Sequence, residues 1–192
     1  MRPLILASSS TYRHALLSRL GLPFESEAPN LDERRMEGEP ARELVLRLAE
    51  AKARALVTRY PAHLIIGSDQ VAVLGDRILG KPGGFEQALE QLTAASGQRV
   101  TFLTGLALLD SHTGHCQVDV VPFSVNMRQL DRNALTRYLQ AEQPYDCAGS
   151  FKAEGLGVSL FESTEGPDAT SLVGLPLIRL VAMLAQAGVV VP

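Results

Sequence analysis

The sequence predicts a mixed α/β fold, and three observations carry that expectation. LILA (4–7) and LIIG (64–67) are short, wholly apolar runs of the kind found in strands covered on both faces. Residues 40–60, 85–96 and 130–142 instead repeat apolar side chains at helical spacing. Turn signals set VAVL (71–74) against RIL (77–79), and VTFLTGLALLD against CQVDVVPFSVNM, as hairpins. Hairpins and crossover helices together require a sheet with both parallel and antiparallel neighbours.

Each element follows from local chemistry. After LILA, Ser8 to Thr11 offer cap hydroxyls, and a helix runs through RHALLSRLG to Gly21, a residue suited to the helix end. Residues 22–39 carry Pro23, Pro29 and six acids, and read as loop with one short strand near Phe24. From Pro40 to Tyr60, Leu44, Val45, Leu48, Ala49, Ala55 and Leu56 mark one helical face, and Pro61 stops it. LIIG reads as a strand ending at Gly67, with Ser68 and Asp69 just past it. GKPGG (80–84) is loop, and Asp131 is a natural cap for the helix over 130–142. GVSLFE (157–162) reads as a strand, and TEGPDATSL as a loop before one last helix over about 172–187.

Composition narrows the function. Hydrophobic residues are 46% and charged residues 20% of the 192, a globular balance rather than a disordered one. Eighteen Lys plus Arg against 21 Asp plus Glu leave a formal net charge of −3, a poor basis for coating nucleic acid. If the chain binds phosphates, it must do so with a few well-placed cations. No apolar run approaches the roughly 20 residues of a membrane-spanning helix, and MRPLILASSS is too short in apolar residues for a secretory signal. Cys116 and Cys147 form no CxxC pair, which points to a reducing cytoplasm. The four histidines lack zinc-type spacing; His112 and His115 fall in the turn DSHTGH.

Several residues suit phosphate chemistry. Ser8, Ser9 and Ser10 open a helix, where backbone N–H groups and hydroxyls form an anion site or simply a cap; Arg13 lies one turn in. Asp69, past a buried strand, is placed to bind Mg²⁺ or take a proton from water, or to make a turn. GDRILGKP (75–82) lacks the final hydroxyl of a phosphate loop, so that reading is rejected, while Lys81 remains a phosphate ligand or a solvated turn lysine. GSFKAEGLG (149–157) precedes a strand rather than a helix and is no dinucleotide fingerprint. Glu33 and Lys52 taken singly read as solvated side chains.

The ordered set is more specific than its parts. LILASSS-xx-R-xxLLxxLG, Asp32-Glu33, Lys52-Ala53, GSDQ, GKP, GSFKAEGLG and LVGLPL (172–177) together resemble the Maf family of nucleoside triphosphate pyrophosphatases, and RYPAHLIIGSDQVAVL and CAGSFKAEGLG resemble its branch acting on 7-methyl-GTP. The resemblance implies a curved, mixed central sheet flanked by helices, of the Maf/ITPase type, with a ligand cleft between two lobes and residues 1–192 as one domain. It implies Asp69 as proton acceptor, Ser8, Ser10, Arg13, Lys52 and Lys81 on the triphosphate, and Glu33 with Asp69 on a divalent cation, Mg²⁺ or Mn²⁺. It assigns base selection to Tyr12, Gln70 and Glu154, positions that hold two small hydroxyl residues and Gln in the branch preferring dTTP and UTP. An aromatic face at Tyr12 suits a cationic N7-methylated guanine, and ionised Glu154 accepts from its N1–H and amino group. Thr11, Tyr12 and His14 depart from the commoner Pro, Trp and Arg. The partner implied is a small-molecule nucleotide, with neither nucleic acid nor membrane, and a homodimer is left open. A broader nucleotide pyrophosphatase and a nucleotide-binding regulator of septum formation are the rival readings; no basic stripe with interleaved aromatics supports an RNA or DNA binder.

Overall fold

The computed structural model describes residues 2–191. The chain runs β1 (Leu4–Leu6), α1 (Thr11–Ser18), β2 (Phe24–Ser26), α2 (Ala41–Arg54), β3 (Leu64–Leu74), β4 (Arg77–Leu79), α3 (Phe85–Ala95), β5 (Arg99–Asp110), β6 (Cys116–Met127), α4 (Arg132–Glu142), two 3₁₀ turns (Ala148–Ser150 and Leu156–Leu160), β7 (Phe161–Glu165), α5 (Thr170–Val173) and α6 (Leu177–Gln186). Among the described residues, seven strands pair in the order β2-β1-β3-β5-β6-β7, with β4 on β3. β1 is parallel to β2 and β3, whereas β3–β4 and β6–β7 are antiparallel. The mixed α/β expectation holds.

The chain divides into two compact units: Met1–Asp69, Thr104–Val121 and Asp168–Pro192 form one, Gln70–Leu103 and Pro122–Pro167 the other. In the first unit, strand alternation sorts the core into two layers. Leu4, Leu6, Leu64, Ile66, Leu106 and Leu108 pack with Leu16 and Leu17 of α1 and Leu180, Met183 and Leu184 of α6. Ile5, Ala7, Ile65, Ala107 and Leu109 pack with Ala49 and Ala53 of α2 and with Leu56. Cover on both faces is why these strands read as unbroken apolar runs.

Helix α2 lies unusually close to the sheet. A Cβ at Gly67 would overlap the Ala49 carbonyl oxygen, and one at Gly105 the Val45 carbonyl oxygen. Two glycines on β3 and β5 thus let successive turns of the α2 backbone rest on the strands.

The acidic loop before α2 is strapped to it. Arg47 Nε and Nη2 donate to Glu39 Oε1 and Oε2 at 2.6 and 2.8 Å, Met36 N donates to Glu39 Oε2, and Arg47 Nη2 also donates to the Arg34 carbonyl. These bonds hold the Glu39 carboxyl at a pKa of about 2, below its ordinary 4.5, the Arg47 hydrogen bond being the largest cause. A depressed carboxyl stabilises the fold above its unfolded pKa and loses that contribution as pH falls through the folded one. The melting-temperature gap between wild type and Glu39→Gln is therefore expected to be widest near neutrality and to close as pH falls from about 4.5 to about 2; a gap independent of pH would contradict the strap.

The second unit is held by aromatic packing. Phe151 meets Phe102 and Phe161 edge-on at centroid distances of 5.2 and 4.9 Å, a favoured geometry for such rings. Ser150 Oγ donates to Gln91 Oε1 at 2.6 Å, tying the first 3₁₀ turn to α3, and Asp131 caps α4 by accepting from Ala134 N.

Four local expectations need correction. β3 does not end at Gly67 but continues through Ser68 and Asp69 to Leu74; those polar side chains are paired within the fold and need no turn. α2 ends at Arg54 rather than Tyr60, because Leu56, Val57 and Arg59 switch to i→i−3 bonds that satisfy the last carbonyls. The segment read as strand from 157 opens as a 3₁₀ turn, since Gly155 and Gly157 both donate to the Lys152 carbonyl and fold the chain round it. The last helix is two helices, broken by Gly174 at φ 111° and by Pro176, which has no N–H to donate.

Candidate active site

In the first unit the predicted residues gather on Lys52. Lysine side chains on a helix lean toward its N-terminus, and the close seat of α2 brings Lys52 Nζ to 2.6 Å from Asp69 Oδ1 and 3.1 Å from Glu33 Oε2. The Lys52 and Asp69 side chains are only 7% and 12% exposed, whereas Glu33 is 53% exposed. The expectation that Lys52 is a solvated side chain is overturned: two glycines leave no gap between α2 and the strand, so its ammonium is buried and satisfied by carboxylates. Asp69 stands inside β3 on the face turned to α2, not in a turn after it. Glu33 is exposed, as predicted, but is not free of the site.

The serines form the helix entry. Ser8 is buried and its Oγ accepts from Ser10 N at 3.1 Å; Ser10 is the N-cap, its Oγ accepting from Arg13 N at 3.3 Å. Both hydroxyl oxygens thus serve the capping role that the sequence left open beside the anion role. Tyr12 lies half-buried in the first turn of α1.

Arg13 is pinned by the LVGLPL segment, which the sequence reading named as a motif without giving any of its residues a role. Its Nε donates to the Gly174 carbonyl at 2.8 Å. Loss of water lowers the guanidinium below its ordinary pKa, opposed by the charges of Asp69 and Glu33, so Arg13 feels the same two carboxylates as Lys52. Ser68 Oγ, fully buried, lies 2.9 Å from both the Gly174 and the Gly105 carbonyl oxygens. Asp168 closes the segment carrying Gly174: its Oδ1 accepts from Thr170 N and Oγ1 and its Oδ2 from Ile178 N, spanning the starts of α5 and α6. The signal for Gly174 lay in LVGLPL; the signal for Asp168 was an acid one residue after Pro167 and two before a helix-forming Thr.

Gln70, Lys81 and Glu154 belong to the second unit. Gln70 is the next residue of β3 and is half-buried; Lys81 is exposed in the loop between β4 and α3; Glu154 is exposed in the turn before the second 3₁₀ segment. Burial pushes the Cys116 thiol up to about 11 and the Cys147 thiol up to about 12. Among the described residues, no group of three or more His, Cys, Asp and Glu converges as a metal cage, and no helix is long and apolar enough to cross a membrane.

The first unit of this mixed α/β fold thus holds a buried lysine between two carboxylates and an arginine that feels the same two charges. Residues 3–187 match the model of the Maf-like proteins, and the chain belongs to that family. It is 72% identical to the 7-methyl-GTP pyrophosphatase of Pseudomonas fluorescens and 65% identical to that of Pseudomonas aeruginosa, each over 192 residues and 100% of both chains. The protein of the same name from Alkalilimnicola ehrlichii is 56% identical over 186 residues, 97% of this chain and 94% of that one.

Proposed function

We propose that the chain, acting as one domain over residues 1–192, hydrolyses 7-methyl-GTP to 7-methyl-GMP and pyrophosphate and so clears a modified nucleotide from the cytoplasmic pool. The full-length relatives bearing that activity in their names support the substrate. The reaction class rests on one observation, the buried Lys52–Asp69 pair with Glu33 on the same ammonium. A nucleotide-binding regulator has no use for a carboxylate held in place beside a phosphate cation.

Water attacks the α-phosphorus. Asp69 accepts its proton as the new P–O bond forms, and the bond from α-phosphorus to the bridging oxygen breaks, its electron pair leaving with pyrophosphate. Oδ1 of Asp69 already carries the Lys52 hydrogen bond, so Oδ2 is the oxygen assigned to the water. Lys52, Arg13 and Lys81 neutralise the phosphates, and the Ser8 and Ser10 hydroxyls, whose oxygens accept at the α1 entry, donate their O–H to them. Lys52, with three donors on its ammonium, reaches a phosphate while keeping its bond to Asp69 Oδ1.

Glu33 and Asp69 also fit a divalent cation. Both already direct an oxygen at one positive centre, and Mg²⁺ typically takes one or two carboxylates and fills the rest of its shell with water and substrate phosphates. When bound, such an ion supplies Lewis-acid neutralisation of the triphosphate.

The decisive experiment is pyrophosphate release from 7-methyl-GTP, GTP, dTTP and UTP, with Mg²⁺ and with chelator. Release is expected to be fastest from 7-methyl-GTP and to stop on chelation; no release from any of the four would refute the reading. Replacing Tyr12 by Ser and Glu154 by Gln together is expected to move preference toward dTTP and UTP, through loss of the stacking face and of the acceptor-only group. An unchanged substrate profile would sink the assignment of base selection to these side chains.

A further inference from the structure

A second charged cluster lies in the second unit, at the turn that carries Glu154. Its centre is the Lys152 backbone. Lys152 N donates to Tyr138 Oη at 3.1 Å, and the Lys152 carbonyl accepts from Gly155 N and Gly157 N, each at 3.1 Å. Ala153 and Glu154 are thus the tip of a closed turn.

Glu142, the last residue of α4, is pressed against this turn. Its Oε2 accepts from Leu156 N at 2.6 Å, and its Oε1 lies 3.6 Å from Lys152 Nζ. A Cβ at Gly155 would stand 2.7 Å from both carboxylate oxygens, so a side chain there would push the Glu142 carboxylate aside. The Glu142 side chain is 15% and that of Lys152 31% exposed, a partly desolvated pair less screened than a surface one. Glu154 and Lys152 share one neighbourhood: the charge of the first raises the Cys147 thiol and that of the second lowers it.

The charge balance matters. Lys152 stands two residues from Glu154 in the same turn. Alone it would offset the Glu154 carboxylate, leaving little field to distinguish a cationic base from a neutral one. With Glu142 paired to it, the three side chains carry a net charge of −1. N7-methylation makes guanine cationic while leaving its N1–H and amino donors in the same places, so a net negative turn separates the two by charge where the positions of those donors do not.

We propose that Glu142 is a specificity-determining positioning residue, which by holding Lys152 keeps the Glu154 turn net negative and so favours a purine base carrying positive charge over its neutral parent. The inference rests on the reading of Glu154 as a base contact.

The test uses the full chain and the ratio of kcat/KM for 7-methyl-GTP to that for GTP. Glu142→Gln keeps an acceptor for Leu156 N but removes the charge, and is expected to lower the ratio about threefold or more; Lys152→Met removes the opposing charge and is expected to raise it by a similar factor. Both shifts should shrink as salt rises. A purely structural role would lower the ratio in both variants, so shifts of the same sign, or no shift, overturn the proposal. If Glu142→Gln loses its fold by circular dichroism, the sign of the Lys152→Met shift decides alone. A wild type that releases no pyrophosphate from either nucleotide refutes the reading of the site, and the inference with it. A wild type that prefers 7-methyl-GTP while neither variant moves the ratio refutes the inference only.

Discussion

Asp69→Asn is expected to reduce pyrophosphate release from 7-methyl-GTP about a hundredfold or more, the usual scale for loss of a positioned general base. The substitution preserves shape. Asn still accepts from Lys52 Nζ, whose bond to Asp69 Oδ1 is 2.6 Å. It cannot take a proton from water, and it removes the charge that balances a buried ammonium. Lys52 then keeps only the exposed Glu33 as a charged partner. Some stability is lost with it, because an uncompensated buried charge is costly, so circular dichroism must show a folded variant before rates are compared. The loss is expected in kcat, since the role proposed for Asp69 is on the attacking water, and binding measured by isothermal titration is expected to persist. Full turnover in a folded Asp69→Asn protein would dismiss the mechanism.

Gly67→Ala is expected to carry the largest loss of stability, about 3 kcal/mol, the upper range for forcing volume into a packed core. One methyl group at this position meets the Ala49 carbonyl oxygen and also stands 3.0 Å from Ala53 N. Both are backbone atoms of α2, which cannot turn aside as a side chain would. The helix must lift from β3, and Lys52 lifts with it. Activity is therefore expected to fall further than the unfolded fraction explains. Gly80→Ala is the control, since a Cβ there meets nothing within 4 Å. Chemical denaturation of the two variants checks the contrast; equal stability would mean that α2 does not need its close seat.

The two predictions share a cause that was only half legible in the sequence. Gly67 and Asp69 were visible as GSDQ after an apolar run, and polarity there read as the end of a strand. The strand continues because Ser68 reaches two carbonyl oxygens and Asp69 reaches Lys52. Their partners lie 17 to 106 residues away in sequence, and no periodicity within β3 encodes them. The GVSLFE segment failed likewise: its apolar alternation suits a strand, but Gly157 must fold against the Lys152 carbonyl. Features that depend on near neighbours fared better. Ser10 and Asp131 cap the helices for which their side chains suit them, and the short strand near Phe24 is present.

The sequence by itself determined the alternation of strands and helices, the hairpins, and the ordered motifs that point to the family. Periodicity, caps and turns are set by side chains a few positions apart, and the ordered motifs keep their spacing along the chain. Only the tertiary structure decided that Lys52 is a buried bridge between Asp69 and Glu33, and that Arg13 is aimed by the Gly174 carbonyl. Burial and pairing depend on what packs above a residue. For Lys52 that is settled by glycines on two other elements, which admit the α2 backbone to a distance that no local pattern in α2 specifies.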